Sequence, residues 1–319
     1  METSIKSITW DGRRITAPGL YVGIPLERYH SGDICDAPSI SSSGLRKLWT
    51  SSPAEYWDSS PLNPKGATPA ENADFILGRA VHHLVAGERG FSRYFIIRPQ
   101  RIWDDEKKQD VEWHGNRPAC KKWLKAAKAA GRSVLTMDDV EAIRSMGLAL
   151  ERYPLVKQGA LKGLIERSLF WKDEETGIWL KARPDVIPTA SGDFVDLKTT
   201  TSTIYNDLQK SLFDYSYQMQ AALVFEGARA LGLETHSFTL LWVQKRRPFC
   251  VRHSSLIDAD LALGHRMNRV MIRQFAKSLA AQSWPQPGDS DNDNSEYLQL
   301  SDRARDIIES RLSILEKTA

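Results

Sequence analysis

Between Ala182 and Thr199 the chain reads A-R-P-D-V-I-P-T-A-S-G-D-F-V-D-L-K-T. Asp185 follows a proline, Asp196 closes the segment from the other side, and Lys198 stands two residues beyond it. Two carboxylates supply the hard oxygen donors that suit Mg²⁺ or Mn²⁺, ions that keep several waters for a substrate or a nucleophile. Such an ion stabilises charge on a phosphate and lowers the pKa of a bound water. A lysine beside it would orient that water or offset the growing negative charge. The chemistry these residue types could perform is therefore phosphodiester hydrolysis. A bare D-x(10)-D-x-K also arises by chance, and acids and lysines on strands are often only a solvated face. The surrounding elements have to decide.

Side chains alternate along a strand, so Asp196 and Lys198 share a face and Leu197 points to the opposite layer. The pattern predicts a three-stranded meander, Ile165–Lys172, Ile178–Ile187 and Asp193–Lys198, with turns at Asp173–Gly177 and Thr189–Gly192. Asp185 would then reach the lysine across a hairpin. Serines before Leu45, Leu48 and Trp49 read as the N-cap of a helix ending near Ser52-Pro53. Residues 71–87 predict a helix ending at Gly87, with Gly78 and Ala80 leaving room for close packing. A short strand over 91–100, basic helical character over 101–135 and a helix over 137–150 follow. Residues 204–232 read as one helix carrying Tyr217 and Gln220, Ser237–Gln244 as a strand with Cys250–Ser255 as its partner, and Ile257–Gln282 as a long helix. Gln286–Glu296 reads as an acidic linker and Asp302–Lys317 as a terminal helix. The succession implies an α/β class with a mixed central sheet flanked by helices. The expected division is a single domain with an N-terminal helical elaboration over 1–285, then linker and helix over 286–319.

Hydrophobic residues make up 41% and charged residues 26% of 319, an ordinary globular balance. A net charge of +3 is too small to mark a nucleic-acid binder, so any such affinity must come from local patches. Two are visible: Lys121, Lys122, Lys125, Lys128 and Arg132 as a helical stripe, and Lys245-Arg246-Arg247 after a strand. The first serves equally as a solubilising face. The second lies nearer the acidic segment in sequence. No apolar run approaches the ~20 residues of a membrane span. Met1–Thr16 has no apolar signal core, so a cytoplasmic location is expected. Cys35, Cys120 and Cys250 show no C-x-x-C spacing and read as reduced thiols. Asp289–Glu296 superficially follows a calcium loop but has Asn294 where the loop needs Gly and Leu300 where it needs Glu.

Gly78-x-Ala80-x-His82 on the preceding helix, Glu166 on the first strand, Arg183-Pro184-Asp185, Asp196-Leu197-Lys198 and Tyr217-x-x-Gln220 stand in one order along the chain. Together with Pro18–Pro25, Ser41–Leu45 and Ser52-Pro53 they resemble the PD-(D/E)XK nuclease superfamily, and within it the exonuclease VIII (RecE) group, over roughly residues 17–285. The resemblance implies that His82, Asp185, Asp196 and the Leu197 carbonyl hold Mg²⁺, with Mn²⁺ a substitute, and that Glu166 serves a second metal. It implies that Lys198 is the catalytic lysine and that Gln220 and Tyr217 position water, lysine or phosphate. Arg183, Lys245, Arg246 and Arg247 are the candidates for DNA contact. Ser52 precedes Pro53 and no cysteine follows Cys250, so the iron–sulfur cluster of some relatives is not expected. The resemblance further implies 5′→3′ digestion of double-stranded DNA ends in a bacterial host. It also implies a single-strand annealing partner and a ring-shaped homo-oligomer. An endonuclease, a single-strand nuclease and a non-catalytic DNA-end-binding protein are the alternatives.

Overall fold

In the computed structural model, which describes residues 6–67, 72–85, 87, 90–165, 167–189, 191–287 and 299–316, Asp196 and Lys198 lie on the strand Asp193–Thr200. Its alternation separates two apolar layers. Val195 and Leu197 face Leu77, Ala80 and Val81 of the helix Ala73–Val85, and Ile143, Met146 and Leu150 of the helix Met137–Arg152. On the other face, Phe194 joins Phe238, Leu240 and Trp242 of the strand Ser237–Gln244 beneath Met219 and Leu223 of the helix Tyr217–Ala230. Burying each such side chain contributes about 2 kcal/mol. The strand is thus fixed from both sides before any polar contact is considered.

Asp193–Thr200 pairs in parallel with Ser237–Gln244, which pairs antiparallel with Val251–Ser255. A second sheet has the order Ile8–Thr9, Gly19–Val22, Arg167–Lys172, Trp179–Ala182, Ser39–Ser41. The Tyr217–Ala230 helix packs on both sheets, because its buried side chains meet Trp171 and Leu180 as well as Leu240 and Trp242. Over it lies the long helix Asp258–Ala281. Gly264 permits that crossing: a Cβ there would stand 2.2 Å from the Gln218 carbonyl oxygen. The mixed α/β architecture expected from the sequence is present.

The expected meander is not. The second strand splits into Trp179–Ala182, paired with Arg167–Lys172, and Val186–Ile187, paired with Leu164–Ile165. Pro184 lies in the gap and has no N–H to give a ladder. The third strand then pairs with Ser237–Gln244 and not with the second. The expected helix over 204–232 is two helices, Tyr205–Asp214 and Tyr217–Ala230, because Ser216 adopts the left-handed conformation (φ 49°). Residues 91–100 begin with a turn of helix, Phe91–Tyr94, before the strand Phe95–Ile97. Within 101–135, only Pro118–Ala129 is helical. Arg101–Asp104 and Gln109–Glu112 form a hairpin, with Asp104 and Val111 buried, and Ser133–Leu135 is a strand.

The chain divides into Met1–Trp284 and Pro285–Ala319. Most of the second unit's acidic linker, including Asp289–Glu296, lies outside the described residues, and its helix spans Asp302–Glu316. No helix among the described residues is long and apolar enough to cross a membrane.

Candidate active site

Asp193–Thr200 ends its three-stranded sheet, so one edge of it has no strand partner among the described residues. At that edge the Leu197 N–H donates to Asp185 Oδ2 over 2.7 Å. The carboxylate stands where a neighbouring strand's carbonyl would otherwise be. The other oxygen of Asp185 lies 3.1 Å from His82 Nδ1. His82 reaches it because the Ala73–Val85 helix runs tight against the strand: a Cβ at Gly78 would sit 3.3 Å from Thr199 Oγ1.

Two residues along the strand face, the Lys198 ammonium ion-pairs with Asp196, which is 3% exposed. The Gln220 amide bridges the pair, its Oε1 accepting from Lys198 Nζ at 3.2 Å and its Nε2 donating to Asp196 Oδ1 at 2.8 Å. The Lys198 ammonium also lies 4.7 Å from the centroid of the Tyr217 ring. Tyr217 and Gln220 share one face at the start of their helix, three residues apart. The break at Ser216 starts that helix afresh beside the strand.

Burial and charge act in opposite directions here. Burial pushes the Asp185 carboxyl up, but the His82 and Lys198 charges and the Leu197 N–H outweigh it and hold it below the usual range. For Asp196 burial wins over the Lys198 ammonium, the Asp185 charge adds to it, and the carboxyl is raised. Burial pushes His82 down, yet the Asp185 carboxylate overcomes this and raises it. The site therefore sets a half-buried carboxyl, held down by its partners, beside a buried one that repels it and stays raised despite its lysine.

Two carboxylates and one imidazole are a donor set that fits a hard divalent cation. Among the described residues, however, no three His, Cys, Asp or Glu side chains converge on one point. Asp185 is closed on His82 and the Leu197 N–H, and Asp196 on Lys198 and Gln220. The donor chemistry is present with the side chains turned to one another. Glu166 lies outside the described residues.

His82, Asp185, Asp196, Lys198, Tyr217 and Gln220 are thus brought together from four separate segments. The candidates for DNA contact are placed differently. Arg183 Nη1 donates to the Ile24 carbonyl at 2.9 Å. Lys245 is 3.0 Å from Asp74 Oδ1. Arg246 and Arg247 are exposed between two strands, and Lys121, Lys122, Lys125 and Lys128 are exposed on their helix. One cation beside the site escaped the sequence reading. Arg46, on the helix Ser42–Thr50, lies with its guanidinium 5.8 Å from the Tyr217 ring centroid and donates from Nη1 to the Tyr215 carbonyl at 3.0 Å. In sequence it follows an apolar residue on an amphipathic helix and reads as ordinary surface charge.

A mixed α/β fold with an acidic strand edge, a proline-borne aspartate and a D-x-K strand defines the PD-(D/E)XK-like class of fold. Residues 41–296 match the PDDEXK-like domain of unknown function (DUF3799), and the chain belongs to that family. A crystal structure from Eubacterium rectale, of a protein provisionally described as an exonuclease, aligns with a TM-score of 0.58 at 14% identity, over 90% of this chain and 98% of that one. That is a likeness of fold. A phage-related exonuclease from Haemophilus somnus aligns over 64% of this chain and 94% of its own at 11% identity, with a TM-score of 0.27 that bears no weight. No curated protein matches the chain.

Proposed function

We propose that this protein is a divalent-metal-dependent nuclease that removes nucleotides from double-stranded DNA ends, an exodeoxyribonuclease of the exonuclease VIII (RecE) type. The carrying observation is that one strand gathers the pair His82–Asp185 at its edge and the group Asp196–Lys198–Gln220 on its face. An ion network that served stability alone would have no need of two mutually repelling carboxylates side by side.

In this reading Asp185, Asp196 and His82 would hold Mg²⁺ or Mn²⁺, with the Leu197 carbonyl and Glu166 as further donors. The bound ion would supply charge stabilisation at the phosphate and an acidified water. The chain's own residues do the rest. The Leu197 N–H fixes Asp185, so its remaining lone pairs keep one direction. Gln220 and the Tyr217 ring hold the Lys198 ammonium above the strand, where its charge offsets that developing on a phosphate oxygen without reorganisation. The flanking apolar layers keep the pair dry, which strengthens each of these interactions. The proposed polarity is 5′→3′, leaving a 3′ single strand for an annealing protein, with the enzyme a ring-shaped homo-oligomer.

The test is digestion of duplexes labelled at either end, with one end blocked, in Mg²⁺ and in Mn²⁺. Loss of label from the 5′ ends and sparing of a covalently closed circle are expected. Cutting of the circle would replace the exonuclease reading with an endonuclease. DNA binding without any cleavage would replace it with an end-binding protein. Asp185→Asn and Asp196→Asn should each lose activity together with metal affinity measured by calorimetry.

A further inference from the structure

Arg46 is built into its place, yet part of it is unused. Its Nη1 is spent on the Tyr215 carbonyl and its plane lies over Tyr217. Its Nε is buried with no hydrogen-bond partner, and its described hydrogen bond runs from Nη1, leaving Nη2 open toward solvent. Those two atoms form the side-on edge of a guanidinium, the edge that grips two oxygens at once. This molecule uses that edge elsewhere: Arg273 donates from Nε to Glu175 Oε1 at 2.6 Å and from Nη2 to Oε2 at 3.1 Å. Arg46 is half-buried, and leaving its buried Nε without a partner is costly. Burial indeed lowers the Arg46 pKa, against the opposing effects of Tyr217 and the Asp196 charge. Tyr217 has Arg46 and Lys198 against its one ring, 5.8 and 4.7 Å from the centroid, and the charge of Asp196, the lysine's partner, is felt at Arg46. The ligand that fits such an edge is an anion with paired oxygens. Asp196, the carboxylate whose charge reaches it, is already held by Lys198 and Gln220.

We propose that the open Nε–Nη2 edge of Arg46 is a binding site for a non-bridging oxygen pair of a substrate phosphodiester, adjoining the Lys198 site. This rests on the nuclease reading and deepens it: Arg46 fixes the register of the strand being cut, and Tyr217 ties that register to the lysine. Arg46 is a substrate-contacting residue, distinct from the groups proposed to hold the metal.

A chemical double-mutant cycle tests it. Duplexes carrying one neutral methylphosphonate at successive positions near the cleaved end are digested by wild type, Arg46→Ala and Arg46→Lys. At one position, neutralising the phosphate should lower wild-type kcat/KM by about 10²-fold, Arg46→Ala should cost about the same, and the two together should cost no more than either alone. Arg46→Lys keeps the charge but not the fork. It should lose about 10-fold and show the same positional coupling. It also serves if Arg46→Ala, having freed the Tyr215 carbonyl, does not fold. Losses that multiply at every position would mean that Arg46 only braces the chain, and would overturn the inference while leaving the nuclease intact. Wild-type kcat/KM in Arg46→Ala would do the same. A wild type that cuts nothing would remove the nuclease reading, and this inference with it.

Discussion

Two charge clusters in this protein use the same residue types to opposite ends. One joins the turn Asp173–Gly177 to the long helix. Arg269 pairs with Asp173 and reaches Glu175 at 2.6 Å, while Arg273 grips Glu175 side-on. Thr176 closes the remaining valence of Asp173 through its amide and hydroxyl. The hydrogen bond to Asp173 raises the Arg269 pKa well above its ordinary value. The other cluster surrounds Lys198. There burial raises one carboxyl, lowers the Arg46 pKa, and leaves the Arg46 Nε without a partner. In the first cluster the fork-to-carboxylate pairs leave Asp173 and Glu175 better off than in water, and only Glu226 at its margin, 3.9 Å from Arg269, is raised by burial. A cluster kept for a substrate leaves some of them worse off, and the ligand makes up the difference.

The largest expected effect falls on the second cluster. Lys198→Ala should lower cleavage by about 10³-fold or more, roughly 4 kcal/mol of barrier. Its urea midpoint should stay near that of wild type, because Asp196 can take up a proton once its partner is gone. Cleavage at the wild-type rate would mean the chemistry lies elsewhere. Arg269→Ala should do the reverse, costing about 3 kcal/mol in urea denaturation by leaving Asp173 buried without its cation. Activity per folded molecule should persist. A variant of equal stability and no activity would erase the contrast between the clusters.

pH separates the two further. Burial would raise the Asp173 carboxyl, but the hydrogen bonds from Arg269 and Thr176 prevail and hold it below its unfolded value. A depressed carboxyl stabilises the fold above its unfolded pKa of about 4 and loses that contribution as pH falls through the folded value. Stability should therefore drop below about pH 4 in wild type and drop less steeply in Arg269→Ala; equal slopes would assign the acid transition to other groups. The smallest effect is expected from Arg273→Ala. Its pair with Glu175 is exposed and screened by salt, so no resolvable shift in the urea midpoint should appear. A clear shift would show that the pair belongs to the network's interior.

Much of the site could be read from the chain because a strand's period is two. Asp196 and Lys198 had to share a face, and Leu197 had to turn into the opposite layer, where it packs. Asp185 was identified correctly as their neighbour for the wrong structural reason. It arrives at a sheet edge and not across a hairpin, since Pro184 interrupts the ladder that the alternation of Ile178–Ile187 suggested. His82, Gln220 and Tyr217 carried no local signal that set them apart from helix residues in general, and only the family pattern singled them out. Arg46 carried neither. Its partner is the carbonyl of Tyr215, 169 positions away, and that carbonyl is presented by a helix break no residue preference announces. The Arg101–Glu112 hairpin was hidden by Asp104–Lys108, whose charges masked two short alternating runs.

The capped edge of Asp193–Thr200 has a consequence for the protein in a crowded solution. An unpaired strand edge is an invitation to any other extended chain, and seams of that kind grow into aggregates. Here a newcomer would have to evict Asp185 from the Leu197 N–H and lay its own backbone beside a buried carboxylate. The aspartate thus acts as a plug against intruding strands. Its removal would cost the molecule some of its solitude, and Asp185→Ala preparations should be watched for slow, concentration-dependent growth of light scatter.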